Sequence, residues 1–339
     1  MKKFMLVLTI ILLGSVSKGV AQKNLVATLN HDGEISTYFG SQALRSAYGA
    51  AVEGDVITLS NGTFLTPAFT KAVTIRGAGM EGAEVTTIAN SGGYDCWIRD
   101  LSGANCNLVF EGIYFSYNVG TNLERAYLAY PIVNTIFKKC KMESLYVYKG
   151  SNFTMIDSKI TNCIDMTAWG SNYYYENCNV SCINCIVKDP YKESDNSSFN
   201  FVNCIVYISG SFVGSDSSYG KNSSVSKLTS SLFENSFVIV KNTTSFPETS
   251  MVESSNILIS DYSAFKTFTG TWSDDENFEL TDEAKANYIG SDGKEMGIHG
   301  GMYPWSTPLS YPQITKFDVA KKATADGKLS VAIVVNGTE

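Results

Sequence analysis

Two lysines, Lys141 and Lys159, are the residues whose type and spacing could best support chemistry. They occupy the same position in two consecutive copies of a short motif, and Asp157 precedes the second lysine by two residues. If the copies stack in register, the two ammonium groups lie about 5 Å apart, one strand spacing. Their repulsion would lower the pKa of one lysine toward that of a general base, or would create an anion-binding site. The alternative is that both long side chains extend into solvent at little cost.

The motif that carries these lysines has a fixed internal geometry. It begins with a large apolar residue, has a small residue three positions later, and has an apolar residue two positions after that. Seven copies occur, starting 18 to 32 residues apart, and they span residues 110–115, 137–142, 155–160, 175–180, 201–206, 233–238 and 252–257. Buried residues of a flat strand alternate strictly, so one residue interrupts each copy. The interrupting residues are Gly112, Lys139, Asp157, Asn177, Asn203, Asn235 and Ser254.

The interrupting position predicts a bend between two short strands. Gly, Asn and Asp, which dominate this position, tolerate the left-handed backbone region better than other residues do. A constant motif with variable spacing is typical of stacked coils from which loops of different length emerge. The alternative is a β-sandwich of alternating strands, but that fold gives no reason for the interruption to recur at one place.

The first part of the chain supports the same prediction. Residues 43–52 have apolar side chains at helical spacing, residues 54–59 resemble a strand, and residues 60–63 resemble a tight turn. Residues 73–79 and 85–88 resemble the strands of a first coil. Together with the repeats, this opening resembles the right-handed parallel β-helix of the pectin-lyase-like superfamily. The resemblance implies an all-β solenoid with a short N-terminal capping helix, but not a particular chemistry, because this fold hosts many functions.

Three segments are predicted along the chain. Residues 1–21 have the basic start, apolar run and small residues of a signal peptide, which predicts export to the periplasm, the outer surface or the medium. Residues 22–302 would form the β-helix. Residues 303–339 combine a Pro-rich linker with two alternating stretches and a turn, which predicts a C-terminal β-hairpin. This ending resembles that of secreted β-helix proteins from Bacteroidetes-type bacteria, and the hairpin would serve as a cap or as part of an outer-surface sorting element.

Composition excludes two kinds of partner. The formal net charge is −7, and removal of Lys2, Lys3 and Lys18 with the signal peptide makes it more negative. Nucleic-acid binding relies on basic contacts to phosphate, so no nucleic-acid partner is expected. No later segment has the length of a transmembrane helix, so no membrane span is expected either.

The eight cysteines permit more than one interpretation. Cys140, Cys178 and Cys204 fall on the small position of the motif, which predicts small buried core residues rather than disulfide partners. Cys182 and Cys185 have the spacing of a metal or redox pair. Because the chain has only two histidines and no second such pair, no metal site is predicted. A local disulfide near Cys182 stays open.

Tyrosines and a lysine provide the candidate ligand-binding residues. Tyrosine rings have an apolar face and a polar rim, so exposed ones can stack on sugars. We expect Tyr114, Tyr146 and Tyr148 to contact a ligand together with Lys138. The alternative is that these rings belong to the core.

The resemblance also bears on catalysis. Hydrolases of this superfamily use an Asn-Thr-Asp motif and an Asp-Asp pair, but the first is missing here and Asp274–Asp275 lies outside the repeats. Lyases of this fold use a basic residue and calcium held by carboxylates of adjacent coils. Lys141, Lys159 and Asp157 fit that pattern in part, but the carboxylate cluster is missing, so calcium is expected only if the chain is a lyase.

Three functions follow as hypotheses. The first is an exported, non-catalytic β-helix protein without a cofactor that binds a polysaccharide, a cell-surface glycan or another surface polymer. The second is a polysaccharide lyase or related enzyme acting on an acidic polysaccharide. The third is a structural stalk or adhesin domain whose partner is another protein, although uneven loops fit a stalk poorly.

Overall fold

A computed structural model describes most of the chain. The described residues are 25–82, 85–89, 96–99, 101, 103–116, 118–121, 135–147, 151–166, 177–192, 196–209, 228, 231–240, 251–252, 257–259, 262–301, 304–305, 313–319, 328 and 331–336. The predicted signal peptide, Tyr148 and the bend residue Ser254 lie outside this part of the chain.

Short strands dominate the described residues. Two helices are present, α1 (Ala43–Ala50) and α2 (Asp282–Asn287). The strands are β1 (Val26–His31), β2 (Glu34–Phe39), β3 (Val56–Leu59), β4 (Gly62–Leu65), β5 (Thr74–Arg76), β6 (Thr86–Ala89), β7 (Cys96–Ile98), β8 (Leu108–Glu111), β9 (Tyr114–Phe115), β10 (Val119–Thr121), β11 (Thr135–Lys138), β12 (Lys141–Tyr146), β13 (Asn152–Ile156), β14 (Lys159–Met166), β15 (Asn179–Ile183), β16 (Ile186–Lys188), β17 (Pro190–Lys192), β18 (Ser198–Val202), β19 (Ile205–Ile208), β20 (Leu232–Glu234), β21 (Phe237–Val240), β22 (Met251–Val252), β23 (Ile257–Ile259), β24 (Gln313–Val319) and β25 (Val331–Asn336).

The strands form two long, mostly parallel sheets. Sheet 1 has the order β2-β1-β3-β5-β8-β11-β13-β15-β18-β20-β22. Sheet 2 has the order β23-β21-β19-β16-β14-β12-β9-β6-β4, and β7, β10 and β17 extend it beside the later parts of β12 and β14. From β3 onward the chain alternates between the sheets and advances by one strand position at each return. Parallel pairing of this kind is what stacked coils predict, whereas hairpin-linked strands would pair antiparallel.

The residue that interrupts each motif lies at the corner between the two sheets. Gly112, Lys139, Asp157, Asn203 and Asn235 all have positive φ, between 45° and 66°. Each lies between a strand of sheet 1 and the following strand of sheet 2. The predicted left-handed bend is therefore confirmed at these corners, and it explains why Asn and Asp are common there.

One motif copy was assigned to the wrong corner. Met155, Cys182 and Phe201 are register partners in sheet 1, so the copy that follows residues 155–160 begins at Cys182. Its bend residue is Asn184, with a φ of 53°. Asn177, the bend residue of the copy assigned to residues 175–180, instead lies just before β15 of sheet 1, and it has the left-handed conformation there too. The two corners have similar sequences, and a cysteine replaces the large apolar residue that should have marked the true copy.

Small residues at the corners bond one coil to the next. Cys140 N donates to Ser158 Oγ at 3.1 Å, and Cys204 N donates to Ser236 Oγ at 3.0 Å. Cys185 N bonds to Cys204 Sγ in the same manner at 3.4 Å. A small side chain with a hydroxyl or thiol thus satisfies a buried backbone N–H that neither sheet can reach.

The cysteines are free thiols rather than disulfide partners, and all except the half-buried Cys106 are buried. All eight are free, so the disulfide considered near Cys182 is not formed. Cys140 and Cys204 occupy the predicted column, whereas Cys178 lies at the other corner, where its N–H donates to Ser197 Oγ at 3.1 Å. Burial raises the pKa of the Cys140 thiol to about 12, which keeps it protonated and unreactive.

The interior between the sheets is a continuous apolar core. Phe110 and Phe137 stack with ring centroids 5.3 Å apart and an interplanar angle of 10°, and Phe153 continues the stack. Helix α1 adds Tyr48, whose ring meets Phe69 edge-on at 5.3 Å. The predicted helix is therefore present at the start of the core.

The two ends of the chain agree with the sequence in part. The predicted C-terminal hairpin forms, because β24 and β25 pair antiparallel in a sheet of their own. Its assignment as a cap or a sorting element stays a prediction. In the part of the chain that the structure describes, no helix has the length and apolar character needed to cross a membrane.

A second apolar core lies outside the coils. Residues 262–301, which we call the cover segment, contain α2 and pack on the outer face of sheet 2. Their apolar residues meet sheet residues that point away from the interior, and the two sets together are Ile186, Ile205, Tyr207, Phe237, Ile239, Phe265, Phe268, Phe278, Leu280, Ala284, Met296 and Ile298. The outer face of sheet 2 is thus closed over several strands by this same chain.

Candidate functional site

Lys141 and Lys159 lie side by side on sheet 2. They are register partners in β12 and β14, and Tyr114 of β9 is the register partner of Lys141 on the other side. The predicted stacking of the two lysines is therefore confirmed. The next member of this column is Ile186, since Lys159 pairs with β16. The motif copy assigned to residues 175–180 predicts Asn179 at this position instead, and that prediction is wrong. Asn179 belongs to sheet 1 because its motif copy was assigned to the wrong corner.

Glu81 joins the two lysines from a turn before β6. Its Oε1 lies 2.6 Å from Lys141 Nζ and 3.9 Å from Lys159 Nζ. Lys141 Nζ also lies 5.7 Å from the centre of the Tyr114 ring, within the range of a cation–π interaction. We call Glu81, Tyr114, Lys141 and Lys159 the lysine cluster. Sequence patterns could not reveal Glu81, because it lies in a turn whose position over the sheet is set by the fold.

Lys159 is buried beneath the cover segment. The residue is 1% exposed, and its Nζ donates to the backbone oxygens of Asp274 and Glu276 at 2.6 and 2.8 Å. Burial lowers the pKa of Lys159 to about 8, Glu81 opposes that shift, and the neighbouring Lys141 adds to it. The alternative that both lysines extend into solvent is therefore wrong for Lys159. Its contacts make it an anchor for the cover segment.

Asp157 lies at the corner rather than in the lysine cluster. It is 1% exposed, and a side chain on Gly301 would collide with its Oδ1 and with Asn184 Nδ2. Its charge acts on Lys139, where it opposes the lowering of the lysine pKa caused by burial. The close approach of Gly301 shows that this corner supports the end of the cover segment.

The acidic turn at residues 274–276 also has a structural role. Trp272 Nε1 donates to Asp274 Oδ1 at 2.8 Å, and the backbone oxygens of this turn accept from Lys159. No group of three or more His, Cys, Asp or Glu side chains within the described residues is arranged to hold a metal ion.

Lys138 lies on a different face from Lys141. It ends β11 in sheet 1, where Glu111 and Ile156 are its register partners, and the corner at Lys139 separates it from sheet 2. The structure therefore does not bring Lys138 together with Tyr114 and Tyr146, which both belong to sheet 2.

Tyr146 is part of a column of outward residues on sheet 2. In register order the column is Trp97, Gly120, Tyr146, Asp165 and Tyr191, one residue from each of β7, β10, β12, β14 and β17. Trp97, Tyr146, Asp165 and Tyr191 are half-buried, and each lies between two buried neighbours in its strand. We call these five residues the aromatic column. Neighbouring strands are about 4.8 Å apart, so its three rings recur about every 10 Å.

Gly120 provides space within this column. A Cβ at Gly120 would lie 3.0 Å from Tyr146 Cβ and 3.6 Å from Trp97 Cζ3. The indole of Trp97 therefore leans over the glycine backbone toward Tyr146. A glycine at this position lets the two rings share one continuous surface.

Tyr191 is held at its hydroxyl end. The Asp189 carboxylate accepts a hydrogen bond from Tyr191, and it also accepts from Ser209 N and Ser209 Oγ, both at 2.7 Å. Burial and the Asp189 charge raise the pKa of Tyr191, so its hydroxyl stays protonated. These contacts fix the orientation of the Tyr191 ring.

Sequence reasoning found only one aromatic residue of this column. Tyr146 was selected because it lies in a tyrosine-rich stretch, whereas Trp97 and Tyr191 were missed. Both lie in three-residue strands outside the motif copies, where the only signal is one aromatic residue between two inward residues. Their alignment depends on register, which the unequal loop lengths conceal.

Comparison with known proteins adds no relative to this description: no family model, no curated protein and no solved structure matches the chain.

Proposed function

We propose that the chain is an exported right-handed parallel β-helix protein that binds a glycan chain on the outer face of sheet 2 without cleaving it. The alternation of the chain between two parallel sheets, with a left-handed residue at each corner, supports the fold. The aromatic column carries the functional proposal.

The column suits an extended sugar chain. An aromatic ring stacks on the apolar C–H face of a pyranose, and its edge tolerates the surrounding hydroxyl groups. The spacing between strands is close to the length of one sugar residue in an extended chain. Trp97, Tyr146 and Tyr191 would therefore contact every second sugar, and the Asp165 carboxylate would accept hydroxyl hydrogen bonds between two of them.

Charge around the column favours a neutral glycan. Asp165 lies within it and Asp189 holds Tyr191 at its end. A uronate polymer placed here would bring carboxylates close to Asp165, and the net charge of −7 adds to the repulsion. Asp189 contributes less, because it is 5% exposed and lies near Lys188. A neutral chain avoids this cost.

The contacts of the lysine cluster support binding rather than cleavage. A general base must reach the proton that it removes, but Lys159 is buried and donates to two backbone oxygens of the cover segment. Asp157 lies instead at the corner beside Gly301. The three candidates for lyase chemistry therefore do not line one substrate-accessible space.

Titration calorimetry with neutral and uronate-containing oligosaccharides tests the proposal. We expect binding of a neutral oligosaccharide and a loss of affinity of about fivefold or more in Trp97→Ala, since one stacking contact contributes about 1 kcal/mol or more. Phe39→Ala is the matched control, because it removes a ring that is 69% exposed and lies on sheet 1.

Two outcomes would overturn the proposal. One is that none of the neutral oligosaccharides tested binds, or that they bind Trp97→Ala as tightly as they bind the unaltered protein. The other is a rise in ultraviolet absorbance during incubation with a uronate polysaccharide and calcium, because unsaturated products would show β-elimination. Loss of that absorbance in Lys159→Ala would then assign the reaction to the lysine cluster.

A further inference from the structure

The outer face of sheet 1 has an ordered column of its own. Lys138, Ile156, Ile183, Val202 and Glu234 are successive register partners in β11, β13, β15, β18 and β20. All five side chains are half-buried and each follows a fully buried residue, so they face away from the interior. Three aliphatic residues are therefore flanked by one positive and one negative charge.

The two charges that flank the aliphatic residues cannot neutralise each other. They lie four strand spacings apart, about 19 Å, which is more than the screening distance at physiological salt. Beyond Lys138 the column continues with Glu111 and Arg76, which form an ion pair of their own. Neither Lys138 nor Glu234 takes part in an ion pair formed among the described residues. Within the described residues, the apolar cluster that covers sheet 2 includes none of the three aliphatic residues between them.

The column is complementary to itself when its direction is reversed. Among these five residues Ile183 is central, Ile156 and Val202 are equidistant from it, and Lys138 and Glu234 flank the aliphatic residues on either side. A two-fold axis parallel to the strands and passing through β15 would therefore place Lys138 of one copy opposite Glu234 of the other. It would also place Ile156 opposite Val202, and Ile183 opposite Ile183.

The neighbouring column has the same symmetry. Its members, on the same five strands, are Ile136, Thr154, Ser181, Asn200 and Leu232. Reversal pairs Ile136 with Leu232, Thr154 with Asn200, and Ser181 with itself. Apolar residues thus meet apolar residues and polar residues meet polar residues across the same axis, without a change in register.

We propose that sheet 1 is the interface of a symmetric dimer in which two copies of this chain pack face to face with their stacks of coils antiparallel. An isologous interface requires one self-complementary patch, and these two columns provide it. Five strands offer about 400 Å² per copy, which is below the area of a standard stable interface. The dimer is therefore weak, and salt weakens it further because two ion pairs close its ends.

The proposal does not depend on glycan binding, because the aromatic column lies on sheet 2. A dimer of this geometry leaves the aromatic column of both copies accessible. It would present two glycan-binding surfaces on opposite sides of one particle, which would increase the avidity for a polymer.

Analytical ultracentrifugation of the purified chain over a wide concentration range tests the dimer. We expect the weight-average mass to rise toward twice the monomer mass as concentration increases, with a larger dimer fraction in low salt than in high salt. A constant monomer mass up to the highest soluble concentration in low salt would overturn the proposal.

Charge exchange tests the geometry. Lys138→Glu and Glu234→Lys each place like charges at both ends of the interface, and each should weaken dimerisation about tenfold or more. The double variant Lys138→Glu with Glu234→Lys should restore it, because every pair is again of opposite sign. Glu283→Lys makes the same charge change on an exposed residue of α2, on the other side of the molecule, and should have no effect.

A dimer that responds equally to Glu234→Lys and Glu283→Lys would overturn the assignment to sheet 1. Failure of the double variant to recover would overturn the two-fold arrangement, provided that circular dichroism shows both single variants to be folded.

Discussion

The outer faces of the two sheets differ in how their apolar residues are covered. On sheet 2 the column that begins with Lys141 and Lys159 continues as Ile186, Ile205 and Phe237, and these three are fully buried beneath the cover segment. On sheet 1 the aliphatic residues stay half-exposed. One coil geometry thus produces a face that is closed within the chain and a face that we propose is closed by a second copy.

The comparison also shows where chemistry can lie on such a fold. Inward residues repeat from coil to coil because they all meet the same core, so they indicate the fold and little else. Outward residues are free to vary along a column. The change from Ile186 to Lys159 marks the edge of the cover segment. The aromatic column crosses β12 and β14 farther along these strands, at Tyr146 and Asp165.

The largest expected effect is on the free energy of unfolding, and it compares a residue on the covered face of sheet 2 with one on the half-exposed face of sheet 1. Phe237 contacts Phe265 and Tyr288 of the cover segment, at centroid distances of 5.5 and 5.1 Å. Phe237→Ala should lower the free energy of unfolding by about 4 kcal/mol, because it creates a cavity in a closed core. Ile183→Ala on sheet 1 is the matched change and should cost about 1 kcal/mol, because that site is already half-solvated. Guanidinium denaturation measures both, and equal costs would mean that the second core does not form.

The next effect concerns the anchor of the cover segment. The pKa of Lys159 is about 8 in the folded protein and 10.5 ordinarily. Between these values the unfolded chain keeps a proton that the folded chain has lost, so unfolding becomes less favourable as pH rises. Relative to Lys159→Met, the free energy of unfolding of the unaltered protein should increase by about 3 kcal/mol from below pH 8 to above pH 10.5. Denaturation of both proteins across this range provides the test, and a constant difference would show that Lys159 is not buried.

A smaller effect on the free energy of unfolding distinguishes the corner at Asn203 from the corner at Asn177. Asn203 has a left-handed backbone and also accepts from Ser291 N at 2.8 Å, so it holds the cover segment as well as the corner. Asn203→Ala should cost about 2 kcal/mol, from backbone strain and a lost hydrogen bond. Asn177→Ala is the control, since Asn177 is left-handed but exposed, and it should cost about 1 kcal/mol. If the two variants are equally stable, the hydrogen bond from Ser291 N to Asn203 contributes nothing to the free energy of unfolding.

The sequence predicted the features that depend on local backbone and on the repeating core. Left-handed residues such as Asp157 and Asn203 were found because few residue types accept that conformation. The register of Lys141 with Lys159 could be predicted because their motif copies are consecutive and both were assigned to the correct corner. The hairpin of β24 and β25 followed from its alternation and turn.

The features that were missed depend on contacts distant in sequence. Cys182 concealed one motif copy, because a thiol stands where the other copies have a large apolar residue, and this displaced Asn179 into the wrong sheet. The cover segment has no period that could reveal its position, so the burial of Lys159 could not be foreseen. Trp97 and Tyr191 align only through the register of β7 to β17.

The most direct test of the central claim uses the fluorescence of the indole in the aromatic column. Titration with a neutral oligosaccharide that binds by calorimetry should change the tryptophan emission of the unaltered protein, because a sugar stacked on Trp97 displaces water from its ring. Trp97→Phe keeps a ring for stacking, so it should retain most of the affinity but lose that emission change. An emission change that persists in Trp97→Phe would place the sugar elsewhere and contradict the assignment of the aromatic column as the glycan-binding surface.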